Sequence, residues 1–247
     1  VAETRSCRNQ QLKTACSSCS VLELCLPLGL SGGEIERLDT LITQRLKVKK
    51  GAALYRAGDP LRSLYAVRLG SFKTSVLSID GREQVTGFQI AGEMLGLDAI
   101  SSDLHTCDAV ALEDSEVCPI HFGHLEKLSR ELPSLQHNLN KILSREIVRD
   151  HDMLMMLGNM NSDERLAAFL LNLSQRLNSR GYSSRCFVLK MRREEIGSYL
   201  GLCLETVCRG IAHLRDLELV EITGRDVTIQ NMDGLKQLVA GCHRHLP

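Results

Sequence analysis

Between Lys47 and Phe122 the sequence is cut at short intervals by turn formers: Gly51, Gly58-Asp59-Pro60, Gly70, Asp80-Gly81, Gly87 and Gly92. The runs between them carry β-branched and aromatic residues and are too brief for helices, so they predict strands. Asp80-Gly81 lies between Lys73–Ile79 and Glu83–Phe88, the pattern of a hairpin. A stretch built this way closes as a sandwich or a small barrel. Whatever precedes and follows it must pack on that unit.

The flanks have a different period. From Leu30 to Leu46, apolar Ile35, Leu38, Leu41, Ile42 and Leu46 recur at helical spacing, with Ser31 and Glu34 placed as a capping box. After Phe122, a short helix around Leu125–Leu128 precedes Pro133, and a long one is expected over Ser134–Leu157. Its stripe of Leu135, Leu139, Leu143, Ile147, Leu154 and Leu157 follows the three- and four-residue steps of a helix seam, long enough for contact between two chains. Asp150 falls on the stripe. Either the helix packs on its own barrel and Asp150 finds Arg145 or Arg149, or two copies of Asp150 face each other across a dimer axis. In the second case like charges make association conditional, because their repulsion grows as water leaves.

A new helix is expected from Asn161-Ser162-Asp163-Glu164, capped by Ser162, with Leu166, Phe169, Leu170 and Leu173 facing inward. This puts a domain boundary near Met160. A short strand, Phe187–Lys190, precedes two helices, Arg192–Leu200 and Leu204–Leu217, joined through Gly201-Leu202-Cys203. A hairpin of Val220–Ile222 and Val227–Ile229 follows. Two short helices around a glycine turn, backed by a two-stranded wing, are the pattern of a winged helix-turn-helix. Ile196, Leu200, Leu202, Val207, Ile211 and Leu214 would form its core.

The second of these helices then exposes Glu205, Thr206, Cys208 and Arg209, with His213 further on. Arginine can form a bidentate pair with guanine, and glutamate can accept from cytosine. Arg192, Arg193 and Lys190 lie where a first helix crosses phosphates. The bland alternative is an exposed ion pair between Glu205 and Arg209 on an ordinary helix. Formal net charge is zero over 247 residues, so DNA contact must come from this local placement and not from bulk charge.

Ten cysteines are present, and only Cys16, Cys19 and Cys25 are clustered. Cys186, Cys203 and Cys242 read as small half-buried hydrophobes. Thiolates suit zinc and iron–sulfur clusters alike. Structural zinc most often takes two closely spaced pairs. One Cys-x2-Cys with a third thiol six residues on, and no second pair, fits a cluster with a remote fourth ligand better. Cys7, Cys107 and Cys118 are all candidates for that fourth place.

The motif Cys16-Ser17-Ser18-Cys19 also resembles a redox Cys-x-x-Cys, but no strand precedes it as a catalytic version requires. The eight histidines are dispersed and no paired carboxylates stand out, so an enzyme is not expected. No apolar run reaches the about 18–20 residues that cross a bilayer. The N-terminus lacks a secretory layout, so a cytoplasmic location without membrane contact is expected.

The chain resembles the CRP/FNR superfamily of transcription regulators, and within it the FNR branch, over nearly its whole length from Cys16. The residues carrying the resemblance are 16–25 (CSSCSVLELC), 58–68 (GDPLRSLYAVR), 84–88 (QVTGF), 164–169 (ERLAAF) and 197–207 (GSYLGLCLETV). It implies an α+β fold: a cyclic-nucleotide-binding-like β-roll or barrel, a long dimerisation helix and a C-terminal winged helix-turn-helix. The implied domains are a cysteine-rich segment 1–29, a sensor 30–132, the dimer helix 133–160 and a DNA-binding domain 161–247.

The resemblance also implies an oxygen-labile [4Fe-4S] cluster on Cys16, Cys19, Cys25 and Cys118, converted by oxygen to [2Fe-2S]. With the cluster intact, such proteins form homodimers, bind TTGAT-type palindromes and contact RNA polymerase, here through a surface around Asp80–Glu83. Residues 146–153 (EIVRDHDM) reproduce the family's dimer switch and bring in Ile147 beside Asp150. The family's recognition helix carries serine where this chain has Cys208, a weaker hydrogen-bonding group. The same superfamily includes cyclic-nucleotide sensors. Here Gly92-Glu93-Met94-Leu95-Gly96 is followed by Ser101–Cys107 without the arginine that would neutralise a cyclic phosphate.

Overall fold

A computed structural model describes residues 19, 25–26, 29–42 and 44–240. Cys7, Cys16 and Cys242 lie outside the described residues. Helix α1 (Gly32–Asp39) carries the expected capping box, Ser31 N–H donating to Glu34 Oε2 at 2.7 Å. It stops well short of Leu46, which instead opens strand β1 (Leu46–Val48). The apolar spacing over Leu41–Leu46 reflects a turn packed on the same core, with Ile42 buried.

The strands that follow are β2 (Ala53–Tyr55), β3 (Ser63–Leu69), β4 (Ser71–Leu77), β5 (Glu83–Ile90), β6 (Met94–Leu95), β7 (Asp108–Ala111) and β8 (Ser115–His121). They form two antiparallel four-stranded sheets, ordered β1-β8-β3-β6 and β2-β7-β4-β5. Apart from the β4–β5 hairpin, strands adjacent in sequence fall in different sheets, and Phe72, Val67, Val117 and Ala109 fill the space between. Gly70 makes the β3–β4 corner at φ +88°, where a Cβ would stand 2.2 Å from Ser115 Oγ. Only glycine fits there.

Helices α2 (Phe122–Glu131) and α3 (Pro133–Asn159) follow, with Pro133 at the start of α3, where a missing N–H costs nothing. Leu135, Leu139 and Ile142 pack on the β-roll with Leu125, Leu128, Leu38 and Leu26. Farther along, Ile147 is 56% exposed and Leu154 66% exposed. The stripe therefore serves its own domain in its first half, and in its second leaves Ile147 and Leu154 exposed before Leu157 is half-buried again.

Helix α4 (Ser162–Asn178) is capped by Asn161 and not by Ser162: Asn161 Oδ1 accepts from Asp163 N at 3.0 Å and Glu164 N at 3.1 Å. Arg165 ties the joint together, donating to the carbonyls of Leu157 (2.8 Å), Met160 (2.9 Å) and Leu200 (3.1 Å). These carbonyls come from the end of α3, the linker and the end of a later helix, and each would otherwise want a donor. Strand β9 (Cys186–Val188), helices α5 (Arg193–Leu200) and α6 (Leu204–Asp216), strands β10 (Val220–Thr223) and β11 (Asp226–Ile229), and a closing helix α7 (Met232–Ala240) complete the chain. The wing is a three-stranded sheet, β10-β11-β9.

The sequence pattern divides the chain at Met160, but the core does not divide there. Val85 and Phe88 of β5 and Leu112 share one cluster with the helices beyond α3. Phe88 meets Phe169 of α4 and Tyr199 of α5 at ring-centroid distances of 6.1 and 5.2 Å.

Candidate DNA-reading helix and thiol centre

Glycine decides the local shape of the helix-turn-helix. Gly201 ends α5 at φ 64°, and Leu202 N–H returns to Gly197 O at 2.8 Å. A Cβ on Gly197 would lie 2.6 Å from Leu202 O, so the two helices approach this closely only with glycine at that position. Ile196, Leu200, Val207, Ile211 and Leu214 are buried between them as expected, while Leu202 is only partly so.

The outer face of α6 exposes Glu205 and Arg209, with Thr206 and Cys208 half-buried beside them. Among the described residues Glu205 and Arg209 form no ion pair, and Arg209 Nη2 instead donates to Thr206 Oγ1 at 3.3 Å. Both are therefore available to base edges. Arg193 Nη1 reaches Cys208 Sγ at 3.7 Å. Arg192 caps α5, its N–H donating to Glu195 Oε2 at 2.7 Å. Two neighbours are already engaged: Lys190 pairs with Glu113 at 2.8 Å, and His213 Nδ1 lies 2.7 Å from Asp163 Oδ2. Cys186 and Cys203 are exposed and not half-buried hydrophobes. At the head of α6, Cys203 Sγ sits 3.1 Å from Thr206 Oγ1, which lowers the thiol's pKa.

At the other end of the molecule Cys118 lies on β8, on the face shared with Glu116, paired across β3 with Ala66. Cys25 and Cys118 pack against one core cluster. Loss of water pushes the Cys25 thiol up to about 12, and neighbouring Cys118 and Cys19 push the same way. Burial, and then Cys19, raise Cys118. The three sulfurs are thus mutual neighbours, and ionising them together needs a cation among them. As they stand, no three His, Cys, Asp or Glu groups among the described residues converge to hold a single ion. Neighbouring thiols are a donor set that zinc and iron–sulfur clusters both accept. Cys107, an alternative fourth ligand, is buried elsewhere, beside Asp98 and Tyr55.

Between the β-roll and α3 lies a cavity of about 400 Å³ lined by Thr74, Gln89, Asp98, Glu146, Arg149 and Asp150. Three carboxylates face it, and Arg149 is engaged with Glu146 at 3.0 Å and Glu93 at 3.6 Å. Such a wall disfavours a cyclic phosphate.

Pattern reading missed the contact between the two ends. Glu93 is 9% exposed and accepts from Arg176 (Nη2 2.6 Å, Nε 3.0 Å) and Arg180 (2.8 Å), while Arg149 of α3 stands at 3.6 Å. Burial alone would raise its carboxyl, but Arg176, Arg149 and Arg180 outweigh that and hold it below the ordinary range. Arg176 is raised in turn. Arg180 is lowered, because burial and Arg176 outweigh its share of one carboxylate. Nearby, buried Lys73 of β4 joins Glu83 (2.7 Å) and Glu195 of α5 (3.3 Å), and Val85 N donates to Ser198 Oγ at 2.8 Å.

A β-roll joined by a long helix to a winged helix-turn-helix is the build of a DNA-binding transcription regulator. Residues 45–131 match the family model of the cyclic nucleotide-binding domain, and residues 164–238 that of the Crp-like helix-turn-helix domain. The chain is 49% identical to the transcriptional regulatory protein btr of Bordetella pertussis over 91% of this chain and 93% of that protein. It is 43% identical to the fumarate and nitrate reduction regulatory protein of Escherichia coli K12, over 90% and 89% respectively. The solved structure of FixK2 from Bradyrhizobium japonicum aligns with a TM-score of 0.73 at 29% identity, covering 79% of this chain and 96% of that one. The chain belongs to the CRP/FNR family of transcription regulators, which are not enzymes. Among the described residues no helix is long and apolar enough to cross a membrane.

Proposed function

We propose that this regulator senses oxygen, binding a TTGAT-type palindrome as a homodimer and engaging RNA polymerase while a [4Fe-4S] cluster on Cys16, Cys19, Cys25 and Cys118 is intact. The observation that carries the proposal is the seating of the thiol segment. Leu26, next to Cys25, is fully buried among residues of α2 and α3, and its carbonyl accepts from Asn138 of α3 at 3.2 Å. Cys25 thus adjoins a residue seated on the first half of the helix whose second half leaves Ile147 and Leu154 exposed. The name of the Escherichia coli relative supports a role in anaerobic metabolism.

When bound, the cluster supplies an oxygen-sensitive iron–sulfide group. The chain's own residues do the rest. Cys118 anchors the centre to β8, and Glu34–Ser134 and Arg37–Glu131 bonds join α1 to the helices behind it. Through these contacts the seating of the N-terminal segment biases the position of α3. Helix α3 then offers Ile147 for contact with a second copy, and Asp150, exposed and without an ion pair among the described residues, opposes that contact. Pairing sets two α6 helices about one DNA turn apart, ~34–36 Å. Arg209 and Glu205 read base edges there, with Thr206 and Cys208 beside them, while Arg192 and Arg193 meet phosphates.

The test is anaerobic purification followed by a visible spectrum, iron and sulfide assays, and sedimentation before and after aeration. The expected result is a brown dimer that bleaches and dissociates in air, and a Cys118→Ala chain that stays monomeric throughout. A colourless zinc protein, or a Cys118→Ala chain that dimerises without oxygen, overturns the sensing half of the proposal.

A further inference from the structure

Beside Cys118 the β-roll holds a charge triad of Arg45, Arg68 and Glu116. Arg68 Nη1 pairs with Glu116 Oε1 at 2.9 Å, and Arg45 Nε approaches the same oxygen at 3.6 Å. Glu116 lies two residues from Cys118 on one face of β8, its side chain 15% exposed. Arg45 continues the β1–β8 register one step beyond Leu46↔Val117, which makes it the cross-strand neighbour of Cys118. Arg68 falls in the β3–β8 irregularity between Val67 and Leu69.

Two cations on one carboxylate leave an excess positive charge in a half-buried place. Moreover, the Nε atoms of both Arg45 and Arg68 are buried and, among the described residues, without a hydrogen-bond partner. Buried donors are seldom left so without a reason. On the side of Cys118, what would use both features is an anion that accepts hydrogen bonds.

We propose that Arg45, Arg68 and Glu116 form the outer sphere of the thiolate centre, with the two guanidinium groups offsetting its negative charge and Glu116 competing with it for them. Four thiolates outweigh the charge of the iron–sulfide core they surround, so the loaded centre is a net anion. Cations and N–H donors beside the sulfurs stabilise it. The inference rests on Cys118 being a ligand, as proposed above.

The experiment loads the full chain anaerobically and follows loss of visible absorbance to an excess of EDTA, with oxygen excluded throughout. Arg45→Gln and Arg68→Gln should each lose iron faster than wild type, the double variant on the order of 10-fold faster. Arg68→Lys, which keeps the charge, should stay within about twofold of wild type. Glu116→Gln, which removes the competing anion, should lose iron more slowly. Unchanged rates in the double variant, or in Glu116→Gln if the double variant takes up no iron, overturn the inference and leave the triad a structural ion pair. Wild type that carries no iron overturns the cluster proposal and this inference with it. Wild type that carries iron, with variants that behave identically, overturns this inference alone.

Discussion

Cys208 stands on the reading face of α6 between Glu205 and Arg209, its sulfur 3.7 Å from the Arg193 guanidinium. A thiol donates and accepts weakly, so this position contributes less to base contact than a hydroxyl would. We predict that Cys208→Ser tightens binding to a TTGAT-type palindrome, measured by fluorescence anisotropy at fixed salt; equal affinities would refute the assignment. Among the described residues Arg209 has no acidic partner to lose, and Arg209→Ala should cost about 1–3 kcal/mol per half-site and relax guanine preference at one base pair. A uniform loss over all sequences would instead make Arg209 a phosphate contact.

Helix α3 is one element with two environments. Its first half is committed to the β-roll through Leu135 and Asn138, while Ile147, Val148, Leu154 and Met155 are each more than half exposed. A bare apolar stripe on a long helix suits a second copy of itself. Asp150 lies within that stripe, and the nearest cation in sequence, Arg149, is turned toward Glu146 and Glu93. Two Asp150 carboxylates meeting at a dimer axis would repel by about 1–4 kcal/mol between water and a protein-surface dielectric. Asp150→Ala should therefore tighten association about tenfold or more in air, as read by sedimentation equilibrium. A dimer constant that does not move would place Asp150 away from the axis.

On the scale of the whole molecule, the DNA-binding half is docked on the β-roll through buried charge as well as apolar packing. Glu93 belongs to the β-roll, Arg149 to α3, Arg176 to α4 and Arg180 to the turn just after it. Removing one member of such a cluster leaves the others buried without their counter-charge, so Glu93→Gln should destabilise the fold by about 3–5 kcal/mol. The pH dependence follows from the direction of the shift. The Glu93 carboxyl is held below its ordinary value of 4.5, so the unfolded chain binds more protons than the folded one at acid pH. The stabilisation is complete above about 4.5 and fades as pH falls through the lower, folded value. Glu195 is lowered too: burial opposes this, but the Arg192 backbone and Lys73 outweigh it. Thermal unfolding should show Tm falling below pH 4.5 in wild type and falling less steeply in Glu93→Gln. Parallel curves for the two proteins would remove Glu93 from the acid response.

Local chemistry in the chain was enough to place most elements. Glycine spacing marked the β-roll, helical periodicity marked α3, and Gly201 between two apolar-faced helices marked the DNA-reading motif with Arg209 on its open side. Where the period continued past a real helix end, as from Leu41 to Leu46, one apolar spacing served a helix and a turn on the same core, and pattern alone did not separate them. Short-range caps and turns depend on residues a few positions apart, which is why they are readable. The docking of the two halves depends on pairs such as Glu93 and Arg176, which are 83 residues apart, and on the burial that makes their charges count. The same holds for Arg45 and Arg68: each is an ordinary surface arginine until strand register brings both to one carboxylate, that of Glu116 two residues from Cys118, and removes the water around them. Register and burial belong to the assembled molecule, because both are set by all the packed neighbours at once.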